Sequence, residues 1–296
     1  MTDPAPANDS PKPGRINTTV AAWHAVLLAL LAMFLSPAFF VVVAAMREGG
    51  SLVSAEILPS LSELTLDNFR RLLSETQFLT WMRNTLIVAG ISTLTAVVVT
   101  TLAGYAFSRF RFRGRKNGLL FMILLQMFPA AMSMVAIFRL LQTVGPWTGG
   151  LIGLNSLFGL ALVYIGGGIP FNSWIIKGYV DALPKELEES AYLDGATPWQ
   201  TFSQIILPLM GPVLATVAVF NFIGPYSDFI FPSVLLSVES QYTLALGMQG
   251  FIAGNFSANW ALFAASAVLG SLPILVLFLS LQRFLVQGLT QGAVKG

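Results

Sequence analysis

The chain has no cysteine, one histidine and few charges: only 10% of its 296 residues are Asp, Glu, Lys or Arg. Without cysteine there is no disulfide, no thiol nucleophile and no thiolate metal site. The single histidine, His24, stands at the edge of the first apolar run and reads as an interfacial residue, so a histidine-dependent triad or a classical metal centre is excluded. There is no G-x-x-x-x-G-K-[ST] run and no Gly-Lys pair, so a phosphate-cradling loop must lie on another polypeptide. Soluble domains carry roughly 25% charged residues. The shortfall here, with 55% hydrophobic residues and a mean hydropathy of +0.74, marks an integral membrane protein. A net charge of +2 gives no reason to expect nucleic acid.

What is present is a series of long apolar runs. Residues 1–19 are rich in Pro, Asp, Asn and Ser and read as a flexible tail. Residues 20–46 follow, with an uncharged stretch from Ala25 to Met46. A bilayer core of about 30 Å needs about 20 residues, and signal-peptide cores run only about 7 to 15, so this run is expected to be a retained first span. Residues 47–83 are polar and external, and Leu66, Phe69, Leu72 and Leu73 have the spacing of an amphipathic surface helix. Further uncharged runs at 84–108, 118–138, 156–176, 205–227 and 260–282 complete six expected spans, the last five forming a core over 84–283. All runs but the second contain proline, among them Pro129, Pro170 and Pro225, which implies kinked spans around a pathway. Residues 284–296 read as a Gly-rich frayed tail.

With the N-terminus inside, eleven Lys and Arg fall on inner segments, against Arg47, Arg70, Arg71, Arg83 and Arg139 outside. The acid-free cluster Arg109 to Lys116 anchors that orientation. It places the connection 181–208 inside the cell. There Leu183-Pro184 predicts a helix with Pro184 at its first position, and Glu186, Glu188 and Glu189 complement the positive end of its dipole. Leu187, Ser190, Ala191 and Asp194 share one mostly small face. Asp194-Gly195 supplies a stop, since Gly tolerates the left-handed conformation. Thr197-Pro198 then restarts a helix as cap and first residue, carrying Trp199, Phe202, Ile205 and Ile206 toward Pro208.

Glu189-Ser190-Ala191, three residues, Gly195, nine residues and Ile205-Ile206-Leu207-Pro208 resemble the EAA loop of the membrane subunits of binding-protein-dependent ABC importers. The one departure is Ser190, where the pattern has Ala. The resemblance extends to Leu193-Asp194-Gly195-Ala196-Thr197-Pro198-Trp199-Gln200, Gln126-Met127-Phe128-Pro129, Tyr242-Thr243-Leu244-Ala245 and the closing Val294-Lys295-Gly296. Together these look like the maltose and maltodextrin importer permeases of the MalG type. The resemblance implies an all-α membrane protein with the six-helix type I importer (MetI-like) permease fold, located in the bacterial cytoplasmic membrane with both termini inside.

It also implies partners: a MalF-like second permease, two copies of a cytoplasmic ABC ATPase that bind ATP and Mg, and an external sugar-binding protein. Most direct sugar contacts in that family belong to the partner permease. This chain would bind no cofactor and would not itself be an enzyme. Glu188, Glu189, Ser190, Ala191, Asp194, Gly195, Ile205, Leu207 and Pro208 would couple to the ATPase. Gln291, Gly292, Val294 and Lys295 of the tail would insert between the ATPases. Gly250, Phe251, Gly254, Asn255 and Phe256, central to an external loop over 237–260, would enter the binding protein. Asp228, just past the fifth span, is a pathway candidate because an ionisable residue at membrane depth is functional by default; an interfacial position is the equal alternative. Gly166-Gly167-Gly168 permits close helix approach or local unwinding, with lipid-facing flexibility as the alternative. An ion-coupled secondary transporter is the competing class, but it calls for paired intramembrane charges or a repeat of broken helices. An intramembrane enzyme would need a nucleophile with a positioned base.

Overall fold

The computed structural model describes residues 18–48, 64–253 and 259–293. Within them the secondary structure is helical apart from one isolated bridge, Arg47 to Leu64. Twelve helices are described: α1 (Thr18–Met46), α2 (Asp67–Glu75), α3 (Phe78–Arg109), α4 (Arg115–Gln126), α5 (Ala130–Val144), α6 (Leu157–Ala182), α7 (Glu186–Leu193), α8 (Pro198–Leu209), α9 (Gly211–Ser227), α10 (Ile230–Leu235), α11 (Leu244–Gln249) and α12 (Trp260–Ala293).

Four of these, α1, α3, α6 and α12, are single helices long and apolar enough to cross a membrane. Two expected spans take a different form. The run 205–227 is cut at Met210, where α8 meets α9 at 73°, and the straight helix after the break starts at Gly211. Pro212 cannot donate to the carbonyl four residues back, and Met210, with ψ −1, turns the chain. The run 118–138 is likewise divided into α4 and α5, of 12 and 15 residues, because Pro129 holds an extended ψ of 124 between them. Hydropathy sees a run of apolar residues and is blind to these breaks.

α3 is the axis of the bundle. Its 32 residues reach about 48 Å at 1.5 Å per residue, and it packs against α6 and α9. Around its first turns a buried cluster joins Ala45 of α1, Leu72 of α2, Trp81, Tyr226 of α9, Leu244 of α11 and Ala265 of α12. Around its last turns Tyr105 packs with Ile176 and Val180 of α6, Phe202 and Ile206 of α8, and Met210. Since α1 ends and α12 begins at the Trp81 end, the first and last described residues lie toward the other end.

α2 is the amphipathic helix expected in 47–83, but its inner face is Asn68, Phe69 and Leu72, while Leu66 and Leu73 are exposed. The Asn68 amide donates to the carbonyls of Ala45 (3.0 Å) and Arg47 (2.8 Å), which locks α2 onto the end of α1. Helix α1 already begins at Thr18, inside the expected tail, and α12 runs on to Ala293 where a frayed end was expected. A glycine costs a helix only about 1 kcal/mol, too little for Gly288 and Gly292 to stop one that has already run from Trp260 to Gln287. Of the proposed contact residues, Val294, Lys295, Gly254, Asn255 and Phe256 lie outside the described residues, as does the segment 1–17.

Candidate coupling site

The hairpin α7–α8 stands at the end of α3 and α6, off the spans. Leu183 precedes a proline and is extended at ψ 135, so Pro184 lies outside the helix, and Lys185 takes the cap position before Glu186. The helix therefore starts two residues later than its proline implied. Gly195 closes the turn at φ +83, a left-handed conformation that costs residues with a Cβ about 1–2 kcal/mol. Thr197 caps α8 and Pro198 occupies its first position. The Thr197 hydroxyl accepts from the Gln200 N–H (3.3 Å), while Gln200 Oε1 accepts from the Thr197 N–H (2.8 Å). Over Thr201–Ile206 the helix widens into a π turn.

The two adjacent carboxylates point in opposite senses. Glu188 is buried, and its Oε1 lies 2.6 Å from Arg109 Nε, with both side chains less than a tenth exposed. The Arg109 guanidinium also donates to the Leu183 carbonyl (3.1 Å) and to the Ser108 hydroxyl (3.3 Å). The Ser108 hydroxyl in turn donates to Asp181, which Lys177 pairs from one turn back on α6. Glu189, by contrast, is exposed. The small face of α7 is divided the same way: Ala191 is buried with Glu188, whereas Leu187, Ser190 and Asp194 face out. On α8, Ile206 is fully buried, Ile205 and Leu207 are half-buried and Pro208 is exposed.

The outer surface of the hairpin is apolar at its tip. Leu193 is 90% and Trp199 65% exposed, and Tyr192 and Leu187 join them. A group of large apolar side chains on a connection outside the spans is the mark of a protein-binding surface. The inner surface is fastened, with Tyr105 of α3 against Phe202 of α8 at 4.8 Å between ring centroids. The hairpin is thus joined to α3, α6 and α9 through a buried ion pair and an apolar cluster.

Asp228 is half-buried and hydrogen-bonded within the chain. Its carboxylate accepts from the Tyr164 hydroxyl (2.7 Å) and from the N–H groups of Ile230 (2.8 Å) and Phe231 (3.3 Å), so it anchors the start of α10 to α6. The expected external loop contains the short helix α11, and Gly250 follows its last turn. Phe251 packs against Trp81, 5.8 Å between centroids. Gln291 and Gly292 fall in the final turns of α12. Among the described residues no group of three His, Cys, Asp or Glu is placed to hold a metal ion. Arg109, Ser108 and Asp181 were not singled out as site residues by the sequence; the i, i+4 spacing of Lys177 and Asp181 was the one local signal.

Several long apolar helices interrupted by proline, with a fastened hairpin exposing an apolar tip beyond them, define a multi-pass membrane protein. Residues 96–291 match the family described as the binding-protein-dependent transport system inner membrane component, and the chain belongs to that family. It is 41% identical over 291 residues to the maltose/maltodextrin transport system permease protein MalG of Vibrio vulnificus, covering 94% of this chain and 96% of that one. It is 43% identical over 232 residues to the maltodextrin permease MdxG of Bacillus subtilis, covering 78% and 81%, and 38% identical over 275 residues to the galactooligosaccharide permease GanQ of the same organism, covering 92% and 94%. In fold it is similar to a chain of a bacterial ABC transporter that imports alginate, with a TM-score of 0.74 at 21% identity, covering 93% and 99%. The chain is thus an inner-membrane permease of an ABC importer, a transport subunit rather than an enzyme.

Proposed function

We propose that this permease imports maltose- or maltodextrin-type oligosaccharides, and that α7–α8 is the contact through which a separate ATPase drives it. The observation that carries the coupling assignment is the division of the hairpin. Its inner half, Glu188 and Ala191, is bolted to the spans, and its outer half, Glu189, Ser190, Leu193 and Trp199, is open to a partner. The oligosaccharide class rests on the names of the relatives, which include a galactooligosaccharide permease as well as maltodextrin permeases.

In this reading a second, MalF-like permease completes the pathway. Two ATPase copies bind ATP and Mg and each receives one coupling hairpin, and an external binding protein delivers the sugar. Both termini and α7 lie in the cytoplasm. The segment after α11, including Gly250 and Phe251, faces the binding protein, and the end of α12 with Gln291 and Gly292 approaches the ATPases. Closure of the ATPases favours one of two arrangements of the spans, and the permease rocks between them as rigid bodies.

The test is labelled maltotriose uptake into proteoliposomes holding this chain, its partner permease, the ATPase and loaded binding protein, with ATP inside and no ion gradient. Uptake that requires ATP is expected. Gly195→Asp should assemble, because a Cβ there meets nothing within 4 Å and Asp is among the residues most tolerant of the left-handed region. It places a bulky charge on the docking tip and should abolish uptake. Normal ATP-driven uptake by that variant would remove the hairpin from the mechanism, and uptake that follows an ion gradient at constant ATP would favour a secondary transporter.

A further inference from the structure

The motif Gln126-Met127-Phe128-Pro129 takes no part in the coupling hairpin, yet it sits where α4 breaks off beside α6. The Gln126 side chain is exposed, and its Nε2 donates to the Gly167 carbonyl (3.1 Å) near the middle of α6. Gly166 and Gly167 are themselves exposed, and a Cβ on either would meet nothing within 4 Å. Pro170 has no N–H, so the Gly166 carbonyl lacks its helical donor. Close by, the Asn172 amide donates to Asn221 Oδ1 of α9 (2.9 Å), and that same oxygen lies 2.8 Å from where a Cβ of Gly168 would be. Pro225 likewise leaves the Asn221 carbonyl without a donor.

Hydrocarbon offers such groups nothing, and each unsatisfied one costs several kcal/mol there. A face with a bare carbonyl and an exposed primary amide beside the middle of the span α6 is therefore not a lipid face. It is also uncharged: Gln126, Gly166, Gly167, Asn172 and Asn221 supply only amides and carbonyls. Fixed neutral donors and acceptors suit a hydroxyl-rich, uncharged solute; an ionic one would call for a counter-charge. We propose that Gln126, the Gly166–Gly167 backbone and the Asn172–Asn221 pair form a mid-membrane contact for a neutral, polyhydroxylated solute on its way through the protein. The proposal rests on the importer reading above and extends it by giving this subunit a solute contact of its own.

The chain has no cysteine, so Gly166→Cys and Gln126→Cys each place a single thiol in it. The complete transporter, with cysteine-free partner subunits, is treated in nanodiscs with a charged methanethiosulfonate reagent, and the rate of labelling is measured with and without maltotriose. Phe34→Cys on α1, at a side chain 76% exposed along an apolar span, is the lipid-facing control. Both test thiols are expected to label, and maltotriose at about ten times its Kd to slow labelling about tenfold, the factor 1 + [L]/Kd of simple occupancy. The control thiol is expected to stay unlabelled. If both test thiols resist the reagent as the control does, the face lies against lipid or the second permease and the proposal fails. If they label at a rate maltotriose leaves unchanged, the face is wet but untouched by solute, and the proposal again fails. Should one variant not assemble, the other decides. ATP-driven maltotriose uptake by the parent complex is measured alongside: its absence overturns the maltodextrin reading, whereas its presence with either negative labelling result overturns this inference alone.

Discussion

Glu188 and Glu189 share a helix turn and a charge, and the structure gives them unlike surroundings. A buried ion pair is a poor source of net stability but a costly thing to halve, because the remaining charge is stranded. Arg109→Gln should therefore destabilise the purified complex by about 3–5 kcal/mol, seen as a lowered thermal midpoint. The double variant Arg109→Met/Glu188→Leu should recover most of that loss. If Arg109→Gln melts with the parent, the pair does not hold the hairpin. Neither partner announced the other in the sequence. Glu188 was sufficiently explained as a first-turn carboxylate and Arg109 as one of a topological cluster, and no periodicity links positions 79 apart. Gly195 was legible, since an Asp-Gly after an amphipathic turn has few other conformations to adopt, and its φ of +83 follows.

At the scale of elements, the apolar run over 84–108 is a helix extended by six residues before it and one after, as Phe78–Arg109, and 156–176 extends to Ala182. Length and composition suffice where a span is straight. They failed at 118–138 and 205–227, where the prolines were noticed but the geometry they impose, a gap in one case and a 73° elbow in the other, depends on neighbours far along the chain. The helix α11 was hidden because Gly250 and the residues after it read as loop. Its security comes from packing: the Leu244 N–H donates to the buried Thr85 hydroxyl (2.7 Å), and Asn84 Nδ2 holds the Ser240 and Tyr242 carbonyls at 2.9 and 3.0 Å. Gly247 lets this helix lie flat on Trp81, for a Cβ there would stand 2.2 Å from the indole. Gly247→Ala should overpack the contact at a cost of about 1–3 kcal/mol. Protease accessibility of residues 237–253 is the measure, and unchanged protection would show that the indole yields freely.

For the whole molecule, the proposed drive by a cytoplasmic ATPase puts α7 and the segment before α11 on opposite sides of the membrane. Leu193→Cys, at a position 90% exposed, should react with an impermeant maleimide only from the cytoplasmic face, and Glu239→Cys, also exposed, only from outside. The reverse pattern would carry the hairpin away from any cytoplasmic ATPase. The elbow at Met210 sets what such an ATPase could accomplish. Met210 is fully buried, its N–H bonded to the carbonyls of Ile206 and Leu207, and it packs in the cluster that holds α8 against α3 and α6. At 1.5 Å per residue the 12-residue arm α8 is about 18 Å long and the 17-residue arm α9 about 26 Å. With the 73° elbow kept, a thrust arriving along α8 is expected to change direction before it reaches α9, so that it enters the spans as tilt.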